Sequence, residues 1–142
     1  MTDIAARRAA LFALFDRLGI ATTTHEHEAV FTVAESQYVK ESIPGGHTKN
    51  LFLKDKKGRL FLVVALGSAV IDLKRLHEVI GASGRLSFGS GELLEEVWGV
   101  KPGSVTPFGA ICDTKQRVSV VLDAAMMEHE ILNYHPLENT AT

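Results

Sequence analysis

Apolar residues recur at Leu11, Leu14, Phe15 and Leu18, the spacing of one helix face, and Gly19 follows where a left-handed cap would end the helix. The pattern predicts a helix over residues 4–18. Residues 22–27 are polar and β-branched, which suits a short strand. Thr32 with Glu35 three residues on makes a capping box, opening a short helix to about Lys40. The Pro44-Gly45-Gly46 run breaks the chain, and a strand begins over 49–53. Asp55-Lys56-Lys57-Gly58 has the composition of a hairpin turn. The returning strand, 59–66, is apolar without alternation, so both of its faces are expected to be covered.

Beyond it, Asp72 can cap a helix reaching Ile80, stopped by Gly81. Residues 81–91 hold four glycines and read as connections around a short strand at 85–88. Ser90 can cap a further helix through Trp98, with Gly99 as its stop. After a loop over 101–109, strands are predicted at 110–112 and 118–122. A helical turn opens at Asp123, and a last strand falls at 131–134. Helices and strands interleave, yet adjacent strands are joined by a hairpin. The class expected is therefore α+β with a mixed, largely antiparallel sheet, and the 142 residues form one domain, 1–142.

Composition narrows what such a domain does. Apolar residues are 46% and charged residues 23%, which excludes a disordered tail or a fibre. The longest apolar run, residues 60–66, is far shorter than the ~20 residues a membrane span needs. No signal peptide is visible, and the one cysteine, Cys112, cannot pair within the chain, so a cytoplasmic setting without membrane attachment is expected. Fifteen Lys and Arg stand against 17 Asp and Glu, so no strongly basic surface is available for tight nonspecific nucleic-acid binding. Locally, residues 49–59 carry five cations against Asp55, either a solvated hairpin tip or a phosphate contact.

No nucleophile elbow, phosphate loop, zinc-protease helix or paired-cysteine pattern occurs, and Gly89-Ser90-Gly91 lacks the third glycine of a dinucleotide fingerprint. His25 and His27 would share a strand face but have no evident third ligand, so no metal is expected. Cys112 reads as a small buried hydrophobe. Three places carry more chemistry. Glycines lead into Lys49 and Asn50, an ammonium and an amide suited to a phosphate or an ester carbonyl. Gly103 to Pro107 form a GxxxP loop, Gly103-Ser104-Val105-Thr106-Pro107, whose amides can meet a ligand oxygen. His135, before Pro136, offers an acid–base or hydrogen-bonding imidazole.

In order, the segments GGHTKNLFLKDKKG, RLSFGS, GVKPGSVTPFGAICD, VLDAAM and HPLENTAT resemble the YbaK/prolyl-tRNA-synthetase-associated editing domains, most closely the freestanding alanine-specific branch. The resemblance implies a barrel-like sheet core surrounded by short helices. It implies hydrolysis of the ester joining a wrong amino acid, most of all Ala, to proline tRNA, with no cofactor and with help from the ribose 2′-hydroxyl. The mischarged acceptor end is the implied substrate and prolyl-tRNA synthetase the implied partner. Lys49 takes the place of the family lysine that contacts the terminal nucleotide or its aminoacyl group. Gly103 supplies the loop backbone that holds the ester or water, and His135 a second polar contact. Phe31, Val33 and Asn50 are expected pocket walls, with Ser104, Val105, Thr106 and Pro107 on the loop. Two other functions fit the same residues: a noncatalytic module binding nucleotide or tRNA ends, and a deacylase for Cys- or Ser-charged tRNA.

Overall fold

The computed structural model describes residues 4–29 and 33–142. The capping box at Thr32 therefore lies outside the described residues. The elements are helices α1 (Ile4–Leu18), α2 (Val33–Ser42), α3 (Leu76–Ile80) and α4 (Gly91–Trp98), with strands β1 (Gly46–Lys54), β2 (Leu60–Leu66), β3 (Ser87–Phe88), β4 (Val118–Leu122) and β5 (Leu132–Asn133). Short 3-10 turns occupy Pro102–Ser104, Pro107–Cys112 and Met126–Glu128.

The result is an α+β mixed sheet of order β3-β1-β2-β4, with β5 added to the start of β1. β1 runs antiparallel to β2 and β3, whereas β4 lies parallel to β2 and β5 parallel to β1. Leu60 to Ala65 are all buried, as the unbroken apolar run predicts. Phe52, Leu60, Leu62 and Val64 pack beneath α1 and α4, against Leu11, Phe15, Leu94 and Trp98. Leu53, Phe61 and Val63 face the other way, onto Leu86 and the α3 side chains Leu76 and Ile80.

Local chemistry explains the best-defined ends. Ser90 accepts the Leu93 amide at the start of α4, and Gly99 ends it at φ 68°, where its carbonyl takes a 2.6 Å hydrogen bond from Arg7 of α1. The Asp55 carboxylate closes the β1–β2 hairpin by accepting the Lys57, Arg59 and Ser83 amides and the Arg59 Nε. Burial opposes its ionisation, but those donors prevail and hold its pKa at about 2.

Several predicted elements change. Residues 22–27 make only an isolated bridge, Glu26 to Ala141, flanked by hydrogen bonds between His25 and Thr142, so no full strand forms. The strand predicted at 110–112 is a 3-10 helix. Pro107 fixes φ at its first turn, Thr106 Oγ1 accepts the Phe108 amide, and Gly109 lies under the Trp98 ring. Cys112 is consequently half-buried there rather than enclosed in a strand. Asp72 accepts the Lys74 amide in a turn, and the helix begins only at Leu76. β3 and β5 keep two residues each of the longer runs predicted.

Candidate functional site

Where the strands flanking β1 stop, they leave an opening. The Gly46 amide donates to Ile131 beside β5, and the Phe52 carbonyl accepts from Gly89 beyond β3. Both are even positions, so both bonds leave the same edge of β1. The odd-numbered His47 instead bonds Gly67 on the β2 side. Since β5 pairs with residues 46–47 and β3 with 53–54, no described strand pairs with residues 48–51 along that edge.

Asn50 stands in this opening. Its Nδ2 donates to the Val105 carbonyl at 3.2 Å, while Oδ1 is buried without a hydrogen-bond partner. A buried acceptor left unmet is costly and marks a place for a ligand donor. The cleft in front of it, about 100 Å³, is lined by Thr48, Asn50, His135, Tyr134, Asn133 and, at its rim, the exposed Lys40 of α2. Asn133 also borders a wider hollow of about 440 Å³ with His25, Pro44 and Glu130.

The packing explains why these groups meet. Phe15 and Phe108 make an edge contact at 5.2 Å, and Phe108 and Tyr134 another at 5.4 Å, so aromatic stacking carries α1 through to the cleft wall. Arg8 of α1 bonds both Glu26 and Glu138, binding the 134–142 segment down. Asn133 Nδ2 reaches the carbonyls of Pro44 and Gly46, and Thr48 Oγ1 donates to the Asn133 carbonyl at 2.7 Å. Leu137, fully buried, adopts a left-handed φ of 73°, a strained turn that its packing holds.

His135 Nδ1–H donates to the Ala141 carbonyl at 2.8 Å, since a carbonyl can only accept; Nε2 is then the bare acceptor of the neutral ring. Burial lowers its pKa first, the Ala141 bond raises it, and nearby His27 lowers it further, for a net downward shift. Neutral pH therefore finds an uncharged imidazole. The unfolded chain takes up this proton first, so the stability it contributes is complete above about 6.5 and is lost as pH falls through the folded value. If His135 serves the chemistry as this base, a kcat/KM profile will stay level through pH 6.5 and fall only below it. His135→Gln will remove that acid limb, and a wild-type inflection at or above 6.5 would count against the assignment.

Of the residues expected from sequence, Asn50 and His135 share the cleft, and Val105 joins it through its carbonyl. Gly103 is exposed, and a Cβ there would come 3.3 Å from Asn139 Nδ2, so the loop backbone packs close to the 134–139 segment. Ser104 and Thr106 are buried and shape the loop from within, and Pro107 starts the 3-10 turn. Lys49 does not line this cleft. Strand alternation puts it on the face opposite Asn50, where its Nζ donates to the Ala69 carbonyl. Phe31 lies outside the described residues, as does the Val33 side chain. Lys40 and Asn133 carry no signal in sequence, whereas Thr48 and Tyr134 lie beside Asn50 and His135 in the segments singled out there without a role of their own. Among the described residues no three His, Cys, Asp or Glu side chains group as metal ligands, and no helix is long and apolar enough to cross a membrane.

A family model for the aminoacyl-tRNA editing domain matches residues 27–142. The chain belongs to the aminoacyl-tRNA editing domain family. Members similar to it include the prolyl-tRNA editing protein ProX of Acetoanaerobium sticklandii, 38% identical over 134 residues, with 94% of this chain and 81% of that protein covered. The prolyl-tRNA synthetase associated domain-containing protein 1 of Bos taurus is 40% identical over 139 residues, covering 95% and 81%. Among solved structures, the hypothetical protein APE2540 superposes with a TM-score of 0.73 at 17% identity, covering 92% of this chain and 84% of that one. A structure described as a candidate trans-editing enzyme for prolyl tRNA synthetase gives 0.71 at 21%, covering 99% and 85%. These structures share the editing domain's fold.

Proposed function

We propose that this editing domain removes alanine from mischarged proline tRNA in trans, cleaving the aminoacyl ester with water and no metal. The observation that carries the reading is Asn50, a residue of the cleft lining anchored through Nδ2 on the 103–107 loop, with Oδ1 buried just behind the wall and without a hydrogen-bond partner. Turned toward the cleft, that acceptor takes a hydrogen bond from the attacking water. The water oxygen adds to the ester carbonyl carbon, and the bond to the ribose oxygen then breaks as that oxygen takes up the proton the water has given up. An aminoacyl ester is already reactive, so orientation and electrostatic help suffice. His135 Nε2 accepts a hydrogen bond from the ribose 2′-hydroxyl, keeping that hydroxyl beside the water. Backbone from Gly103 to Pro107 faces the ester, and Lys40 at the rim meets the terminal phosphate. A cleft of about 100 Å³ suits a small side chain such as that of alanine.

Lys49 acts from across the strand as a positioning residue: its ammonium holds the Ala69 carbonyl and fixes the turn after β2. Prolyl-tRNA synthetase, named in several relatives, is the partner this reading brings with it.

The deciding experiment is deacylation of alanine-charged proline tRNA in chelator by wild type and Lys49→Ala. Wild type is expected to hydrolyse it, and the variant to lose at least tenfold while keeping its circular dichroism spectrum. Binding without a shortened ester lifetime would favour the noncatalytic module, and faster hydrolysis of Cys- or Ser-charged tRNA would reassign the amino acid.

A further inference from the structure

β4 closes one side of the sheet, and no described strand pairs beyond it. The Asp123 amide donates to the Val64 carbonyl of β2. By alternation Ser119 and Val121 also turn their backbone groups inward, while Val118, Val120 and Leu122 turn theirs away from the sheet. Asp113 Oδ2 accepts the Val118 amide. The Val118 carbonyl and both backbone groups of Val120 and Leu122 meet no described partner on that side. The side chains there are apolar, where a natural outer strand is commonly charged. Val120 is 39% exposed and Leu122 49%. They pair in register with Leu62 and Val64 and so carry the core beneath α1 and α4 out to the margin, whereas Val121 packs into the opposite core.

Charge flanks this strand on either end, Arg117 before it and Asp123 after it. Arg117 is exposed and reaches Glu96 only at 3.7 Å, a solvent-screened pair, and no described hydrogen bond or ion pair engages the Asp123 carboxylate. The stretch is self-complementary. Antiparallel pairing about a two-fold axis through Val120 sets Val118 of one copy opposite Leu122 of the other, Ser119 opposite Val121, and Arg117 opposite Asp123. The two Val120 residues then exchange amide and carbonyl, and each Leu122 amide meets the Val118 carbonyl of the second copy. Arg117 and Asp123 fall at the non-hydrogen-bonded positions, where facing side chains stand closer, and symmetry makes that pair twice. Ala124 and Ala125 come opposite Gln116 and Lys115, so small side chains leave room for the turn that Gln116 makes at φ 53°. Asp113, holding the Val118 amide, ends the match there.

We propose that β4 is the interface of a two-fold dimer of this chain, its backbone groups matched at Val120 and its register fixed by Arg117 against Asp123 of the second copy. The two sheets join into one. Their strand order keeps β2 and β1 between the axis and each cleft, so both clefts stay open. The outermost strands of the joined sheet are then the two-residue β3 and β5, and the pair is closed. The dimer does not depend on what the cleft hydrolyses.

The test is sedimentation velocity on the full chain over ~1–200 µM, the range in which so small an interface dissociates. Wild type is expected to pass from monomer to dimer and go no further. Arg117→Asp sets carboxylates against each other at both ends of the pairing and is expected to weaken dimerisation about tenfold, and Asp123→Arg, which sets two cations there, to do the same. The double variant Arg117→Asp, Asp123→Arg restores opposite signs and is expected to dimerise within about threefold of wild type. Val120→Pro removes an outward amide and leaves the inward bonds to β2 in place, so it is expected to abolish the dimer with its circular dichroism spectrum kept. Should that variant lose its fold, the charge exchange decides alone. A wild type that stays monomeric at the highest concentration overturns the proposal, as do species larger than a dimer. Single charge variants that dimerise like wild type, or a double variant no better than either single one, overturn it equally.

Discussion

Asn50→Ala is expected to lower kcat/KM for alanine-charged proline tRNA about a hundredfold while moving Tm by no more than a few degrees. The side chain makes one hydrogen bond, to Val105, and leaves Oδ1 buried and unmet. Removing a group that orients a reacting water or charge typically costs ~10²–10³ in rate. Removing an unsatisfied acceptor costs little in stability, because its desolvation is relieved as the Val105 bond is lost. Asn50→Asp separates the two atoms. It keeps an acceptor at Oδ1 but turns the Nδ2 position into an oxygen facing the Val105 carbonyl, so the loop is repelled and activity falls with it. Single-turnover hydrolysis beside thermal melts checks both. If Asn50→Ala retains activity within fivefold of wild type, the chemistry lies elsewhere and the cleft assignment fails.

Trp98→Ala is expected to produce the largest loss of stability, about 3–5 kcal/mol, out of the ~5–15 typical of a domain. Trp98 is 1% exposed in the core beneath α1 and α4, and Gly109 approaches its ring so closely that a Cβ would come within 2.3 Å. At this chain length the cost translates to a fall in Tm of roughly 10 °C. The consequence reaches the cleft, because the 3-10 turn resting on Trp98 follows directly from the loop that offers Val105 to Asn50. Activity should therefore decline well below the variant's own Tm, whereas Leu53→Ala, in the opposite core, should destabilise without that early decline. Parallel decline of activity and fold in both variants would show that the turn does not position Asn50.

What was legible in the sequence is what is settled over a few residues. Ser90 and Gly99 bound α4 through bonds to their own helix, and Asp55 to Gly58 turn the chain by the same short-range means. The solid apolar run of β2 also reported its two covered faces. The failures are non-local. The turn at 107–112 has a strand-like composition, but Pro107, Thr106 and the Trp98 contact decide its shape. The two-residue pairing of β5 with β1 places Asn133 and Tyr134 at the cleft, and the neighbouring His135 marks the segment without announcing that pairing. The split of Lys49 from Asn50 follows from strand alternation alone, so two neighbours in one motif stand on opposite faces of β1.

The opening along β1 has a further consequence. A bare strand edge is a template on which another extended chain can add, and proteins that expose one risk assembling edge to edge. Here β5 and β3 close in from either end, leaving residues 48–51 between them. That span is shorter than the five or six residues of a typical strand, and the Asn50 and Thr48 side chains project beside it. A nucleotide can enter such a gap, but a β-strand finds too few rungs to begin a ladder. Among the described residues, that stretch of edge is thus wide enough for a small ligand and too short to seed a ladder with a second copy of the chain.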